Sequence, residues 1–258
     1  MEDGGIQLPS GYRLAFYETI DSTNSEALRL ANRGEPGGLW IWSARQEAGK
    51  GRAGREWVSS SGNLYASLLI RPHVPLMTAL QLSLLAGVAA YDALASLASG
   101  AGGAIDLRLK WPNDILLGTA KLGGILLEST TPPNSASPTI VIGTGINLAQ
   151  SPGELSRPAA SLTGAGVTAT VEQAFAALAW TTAEWISLWR EGGGFEAIRS
   201  AWLDRAQPIG DAISVKLGRD LLSGTFLGID EAGALRLSLT TGEERRITAG
   251  DVAIGAGA

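Results

Sequence analysis

A chain of 258 residues with 45% hydrophobic and 17% charged residues has the apolar material for one sizeable domain, or one domain with a small appendage, and is not a disordered polymer. The formal net charge of -5 argues against duplex nucleic acid as the main partner, because that affinity is largely phosphate neutralisation. With no cysteine and one histidine, His73, the sequence excludes disulfides, thiol catalysis and Cys-ligated zinc, and argues against a His-based triad or a two-His metal site.

The acidic start, Met1 to Gly5, lacks the basic and apolar segments of a secretory signal, so a cytoplasmic location is expected. Asp21 to Glu26 reads as a helix start, with Thr23 and Glu26 at capping-box spacing, and Gly34 and Pro36 end that helix. Leu39 to Ala44 alternates Trp40 and Trp42 with aliphatics and predicts a strand, followed directly by a glycine- and base-rich loop from Gln46 to Trp57. Asn63 to Arg71 is a second strand. Pro75 to about Ser99 predicts a long apolar helix ended by Gly100, Gly102 and Gly103; Gln81 and Asp92 interrupt it and favour a buried helix over a membrane span.

Leu107–Trp111, Asp114–Leu117, Leu122–Ser129 and Thr139–Ile146 predict four more strands, with a tight turn at Gly118-Thr119-Ala120 and a loop at Thr131 to Ser135. Helices are expected over Val171–Arg190 and Phe195–Ala206. This is an α+β pattern rather than regular βαβ. After Pro208 the chain turns to short β segments, Ala212–Leu217, Leu221–Ile229, Ala234–Ser238 and Arg245–Thr248, parted by Gly218, Gly233 and Gly242. Such spacing predicts a small C-terminal β-barrel or sandwich, dividing the chain into domains at 1–207 and 208–258.

The chemistry concentrates in three places. Gly49-Lys50-Gly51-Arg52-Ala53-Gly54-Arg55 matches GxGxxG, but a dinucleotide fingerprint needs a helix at the loop's end and an acid about twenty residues on, and neither is present. The P-loop pattern fails as well. What remains is a loop with three cations and permissive glycines, suited to phosphate or acyl-phosphate, or else a solvated hairpin tip. Lys110-Trp111-Pro112-Asn113-Asp114 followed by Lys121-Leu122-Gly123-Gly124-Ile125 is an ordinary hairpin by itself, with Asn113-Asp114 as turn chemistry. Beside the basic loop it supplies lysines, a carboxylate and glycines of the kind a nucleotide-dependent activation site needs. Gly143-Thr144-Gly145-Ile146-Asn147 is a ligand floor or a tight strand exit.

Taken in order, Asp21-Ser22-Thr23-Asn24, Gln46 with GKGRAGREW, KWPND, KLGGIL and GTGIN resemble the catalytic domain of biotin–protein ligases, from about Leu14 to Asn147 and more loosely into the C-terminal barrel. The resemblance implies a class II synthetase-like mixed sheet flanked by helices. It also implies two half-reactions with ATP and Mg²⁺: biotin becomes biotinyl-5'-adenylate, and a lysine of a biotin carboxyl carrier protein then takes the biotin. Neither step needs an enzyme nucleophile, so positioning and neutralisation of phosphate charge suffice.

By the same resemblance Ser22, Thr23, Asn24 and Gln46 meet the polar ends of biotin, with Lys50 and Gly51 beside them. Arg52 retains the adenylate and Lys121 stands at the reacting oxygens, the two residues expected to carry catalysis. Lys50, Arg55 and Lys110 serve the phosphates, Asn113 and Asp114 the nucleotide or its Mg²⁺, and Asn147 the adenine or ribose. Trp57 packs over the adenylate or belongs to the core. Lys50 and Ala53 stand where many relatives carry Arg, which lowers the loop's positive charge. Thirteen residues before Leu14 are too few for a winged helix, so direct operator binding is not expected. A homodimer is compatible with the sequence. The rival readings are a lipoate–protein ligase or octanoyltransferase, and a non-catalytic sensor of biotin or nucleotide.

Overall fold

The computed structural model describes residues 6–131, 137–153 and 158–254, so that 132–135 of the expected Thr131–Ser135 loop lie outside the described residues. β1 (Arg13–Ile20), α1 (Thr23–Asn32), β2 (Leu39–Gln46) and β3 (Leu64–Ile70) open the chain. The sequence did not announce β1, because its polar and apolar residues do not alternate cleanly; it forms an exposed edge strand parallel to β2. α1 begins at the expected place but with a different cap. Ser22 is the N-cap and its Oγ accepts from the Ser25 N–H at 3.4 Å, while the Thr23 hydroxyl lies 3.1 Å from Gln46 Oε1.

The long apolar stretch divides into α2 (Leu76–Ala79) and α3 (Gln81–Gly100), and α3 is a core helix with eleven buried residues, among them Leu82, Leu85 and Val88. β4 (Leu107–Lys110), β5 (Asp114–Leu117), β6 (Ala120–Thr130) and β7 (Thr139–Ile146) complete a seven-stranded mixed sheet of order β1-β2-β3-β7-β6-β5-β4, followed by α4 (Val171–Trp189) and α5 (Phe195–Arg205). α4 carries a full capping box between Thr170 and Gln173.

Strand alternation decides what each face of the sheet becomes. Trp40, Trp42, Leu68, Ile140 and Ile142 point to the side covered by α3, α4 and α5, forming the main core. The opposite side is partly covered by α1, whose Ala27 and Ala31 pack on Leu39, Ile41, Leu69 and Val141. Further along this side the strands carry Ser67, Gly143, Gly145 and Gly124, so the sheet is left open as a concave floor in front of the α1 N-terminus.

β8 (Ala212–Leu217), β9 (Asp220–Ile229), β10 (Leu235–Leu239), β11 (Glu244–Ile247) and β12 (Asp251–Ile254) make a five-stranded antiparallel sheet in the order β11-β10-β9-β8-β12. β12, four residues at the sheet edge, was not foreseen. This sheet docks tightly on the first part of the molecule. Trp111 Nε1 donates to Gly233 O at 3.0 Å, and Gly233, at φ +84°, lies so close to α3 that a Cβ there would stand 2.7 Å from Leu84 Cδ1. The docking carries the start of β12 to the rim of the open floor.

Candidate active site

All the residues expected to meet biotin or the nucleotide line one pocket. At its neutral end the side chains at the α1 N-terminus are buried and hydrogen-bonded to the sheet. Gln46 Oε1 accepts from the Thr23 N–H at 2.9 Å, which fixes the amide so that its Nε2 donates to Ser59 Oγ at 3.0 Å. Asn24 reaches across three strands: its Oδ1 is 2.6 Å from Ser67 Oγ, and its Nδ2 donates to Leu126 O at 3.3 Å and to Glu128 Oε2 at 2.7 Å. Gly143 makes that reach feasible, since a Cβ there would lie 2.2 Å from Asn24 Oδ1. The motif's second glycine has a separate purpose. The Trp57 ring sits directly on Gly145, where a Cβ would come within 2.7 Å of it, and Lys121 Nζ stands 5.3 Å from the ring centroid. GTGIN thus lines the floor of the pocket, and Trp57 is a half-buried pocket wall rather than part of the core.

The cationic end is built from the basic loop and the β5–β6 hairpin. The loop folds on itself through Gly51 N–H to Arg55 O at 2.7 Å and Trp57 N–H to Gly49 O at 2.9 Å, with Ala53 in the left-handed region at φ 55°. No helix opens at its end, which agrees with rejecting the dinucleotide reading. Arg52 Nη1 donates to Asn113 Oδ1 at 2.9 Å and its Nη2 to Gly250 O at 3.3 Å; burial pushes the guanidinium pKa down against the pull of Asp251 and Asp114. Arg55 pairs with Asp251 at 2.9 Å, and exposed Lys50 stands at the rim. Lys110 Nζ donates to Val252 O at 3.0 Å. Thus Gly250, Asp251 and Val252, more than a hundred residues from any motif, hold three of the expected cations. Asn147 is buried beside the pocket, with its Nδ2 on Ala160 O at 3.1 Å and its Oδ1 a buried acceptor without a partner among the described residues.

The expectation that Asp114 serves a Mg²⁺ meets a different arrangement. Asp114 Oδ2 pairs with Lys110 at 2.8 Å and Oδ1 with Lys121 at 2.5 Å, and among the described residues no group of three His, Cys, Asp or Glu side chains could hold a metal ion. With one ammonium on each oxygen and no further acidic or imidazole ligands grouped with it among the described residues, Asp114 stands in a cationic setting that does not favour a protein-held Mg²⁺. Two cations on one anion instead leave a net positive charge facing the pocket.

This triad has a consequence for acid stability. Burial alone would raise the Asp114 pKa, but Lys121 and Lys110 more than reverse that and hold it at about 2, against an ordinary value of 3.8. A depressed folded-state pKa contributes stability that is complete above the unfolded value and is lost as pH falls through the folded one. The contribution, of order 2 kcal/mol, is expected to disappear between about pH 4 and pH 2. Asp114→Asn leaves two part-buried ammoniums without their anion and is expected to cost about 3 kcal/mol at pH 7. Urea titrations across this range are expected to show the wild type and variant converging as pH falls; a constant gap would contradict the assignment.

A pocket with neutral hydrogen-bonding groups at one end and several cations at the other suits an enzyme that activates a carboxylate with a nucleotide. Residues 16–147 match the model of the Biotin/lipoate A/B protein ligase family, and residues 209–255 match that of the Biotin protein ligase C terminal domain. The chain is 40% identical over 230 residues to the biotin–[acetyl-CoA-carboxylase] ligase of Paracoccus denitrificans, covering 87% of this chain and 93% of that protein. It is 33% identical over 259 residues to the enzyme of that name from Mycobacterium tuberculosis, covering 98% and 93%. Among solved structures, the biotin protein ligase from Aquifex aeolicus in complex with biotin and ATP aligns with a TM-score of 0.77 and 25% identity over 94% of this chain and 98% of that one. The chain belongs to the biotin/lipoate A/B protein ligase family, on its biotin–protein ligase branch.

Proposed function

We infer that this protein activates biotin with ATP to biotinyl-5'-adenylate and pyrophosphate, then transfers biotin to a lysine of a biotin carboxyl carrier protein. The observation that carries this reading is the meeting of Arg52 and Lys121, from separate motifs, in one pocket with the buried Ser22–Asn24 and Gln46 end. We assign biotin's polar groups to Ser22, Thr23, Asn24 and Gln46, where an analogue lacking them would leave buried donors and acceptors unpaired. The biotin carboxylate then lies towards Lys121, and the nucleotide phosphates lie among Lys50, Arg52 and Arg55. Asn113 orients Arg52. Lys110 acts through Asp114, since its ammonium is held by Asp114 and Val252 O. The unpartnered Asn147 Oδ1 suits the exocyclic amine of adenine.

In the first step the ionised carboxylate attacks the α-phosphorus in line and pyrophosphate leaves. In the second, a neutral lysine amine attacks the acyl carbon, AMP departs with the anhydride electrons and the amine loses a proton. The side chains need only align reactants and neutralise charge. Mg²⁺ enters as part of the Mg-ATP substrate. We place the domain boundary near Gln207, between the end of α5 and the start of β8, and the enzyme in the cytoplasm, where ATP and its carrier meet. The net charge of -5 supports a function without direct DNA contact.

A match to the biotin ligase C-terminal domain favours biotin over lipoate. Calorimetric titration with each acid tests this choice: biotin is expected to bind far more tightly, and tighter binding of lipoate would overturn it.

A further inference from the structure

Glu128 stands outside every recognised motif and does not line the pocket, yet it is the only charged group bonded to Asn24 among the described residues. Its side chain is half-buried on β6 and forms no ion pair among the described residues. The carboxylate instead accepts from Asn24 Nδ2 at 2.7 Å, shorter than the 3.3 Å bond from that nitrogen to Leu126 O. An asparagine amide is nearly symmetric in shape, so the groups around it decide which end donates. Glu128 can only accept, and it fixes the NH₂ on the β6 side. Asn24 Oδ1 is thereby turned to Ser67 Oγ at 2.6 Å, and Ser67 Oγ in turn lies 2.7 Å from Thr23 Oγ1, which meets Gln46 at 3.1 Å.

Donors and acceptors therefore run in one sense from Glu128 to Thr23: Asn24 donates to Glu128 and accepts the single Ser67 proton, so the Ser67 oxygen accepts from the Thr23 hydroxyl. This run is pinned at its Glu128 end by an acceptor-only carboxylate. Gln46 is oriented separately by the Thr23 N–H and donates to Ser59, which donates to Trp57 O at 3.1 Å. We propose that Glu128 is a positioning residue for biotin binding: it sets the donor and acceptor sense of the pocket's neutral end by orienting the Asn24 amide. This rests on the assignment of biotin to that end. Ser67 shares the function from the opposite side of Asn24, as a buried serine in β3 among Leu64, Ala66, Leu68 and Leu69.

Loss of a charge-assisted hydrogen bond that orients a ligand-binding amide is expected to weaken biotin binding about tenfold. The test is calorimetric titration of biotin with the full chain, joined to steady-state transfer assays, for wild type, Glu128→Ala, Glu128→Gln, Asn24→Asp and the Asn24→Asp/Glu128→Gln double variant. Glu128→Ala is expected to raise the biotin Kd and KM about tenfold, with the KM for ATP and kcat within about twofold of wild type. Glu128→Gln, which still offers an acceptor oxygen, recovers most of the affinity. Asn24→Asp sets two carboxylates face to face, and adding Glu128→Gln restores a donor–acceptor pair of opposite sense, so the double variant binds more tightly than Asn24→Asp alone. An unchanged biotin Kd in Glu128→Ala, equal changes in the two KM values, or additive losses in the double variant would overturn the proposal while leaving the enzyme's activity intact. Wild-type protein that binds no biotin would overturn the underlying assignment and this inference with it.

Discussion

Replacing Lys121 with alanine is expected to lower kcat for biotin transfer by about 10²- to 10³-fold, the scale observed when one preorganised donor is removed from a developing charge. The argument rests on charge balance. Lys110, Asp114 and Lys121 together carry a net charge of about +1, and Lys121, with 31% of its side chain exposed, is the member open to the pocket. Its removal leaves Asp114 and Lys110 neutralising each other, so the net charge of this cluster, which faces the reacting carboxylate, falls from about +1 to about zero. The same balance predicts that the fold is spared, because the remaining buried pair is still matched. Thermal melting within a few degrees of wild type together with lost labelling is the expected pair of results. Lost labelling with a collapsed melting transition would show a structural residue instead.

Arg52→Gly is expected to act on retention rather than on chemistry. The arginine is tied to Asn113 on the opposite hairpin and to Gly250 O on the C-terminal sheet, and so closes the basic loop across the pocket mouth. Its removal takes away both ties and a fixed cation that faces the adenylate. Charge-assisted bonds of this kind contribute about 1.5 to 3 kcal/mol each, so dissociation of biotinyl-adenylate is expected to quicken by at least tenfold. A freed mixed anhydride acylates any exposed amine. The readout is biotin on a bystander protein such as serum albumin, rising in Arg52→Gly while labelling of the carrier falls. Equal carrier labelling and a clean bystander would contradict this role.

Much of this site is legible in the sequence because its cations and polar groups fall in short motifs beside strand ends. The flanks of GKGRAGREW were sufficient to reject a dinucleotide loop, and the tight turn at Gly118-Thr119-Ala120 was sufficient to set KWPND and KLGGIL on neighbouring strands. What the sequence hid has a common physical origin in tertiary contact over long separations. Asn24 and Glu128 are 104 positions apart, and nothing local marks either as the other's partner. The two ammonium partners of Asp114 were hidden as well, because a motif records residue types and not their contacts. The Gly250–Val252 segment leads into an edge strand of four residues, too short for alternation to reveal. Ser67 left a faint signal as a hydroxyl inside an apolar strand. The glycines of GTGIN were visible as glycines, but their purpose, clearance for Asn24 and for the Trp57 ring, appears only when a Cβ is set at each position.

The transfer reaction itself tests the account most directly. The protein is incubated with biotin, Mg-ATP and a purified biotin carboxyl carrier domain, and the acceptor is probed with streptavidin. Labelling of the carrier that requires biotin, ATP and the enzyme together, and that vanishes when the carrier's target lysine is replaced by arginine, is the predicted result. An unlabelled carrier in the presence of wild-type protein that binds biotin would contradict the account and leave a biotin-binding module without turnover.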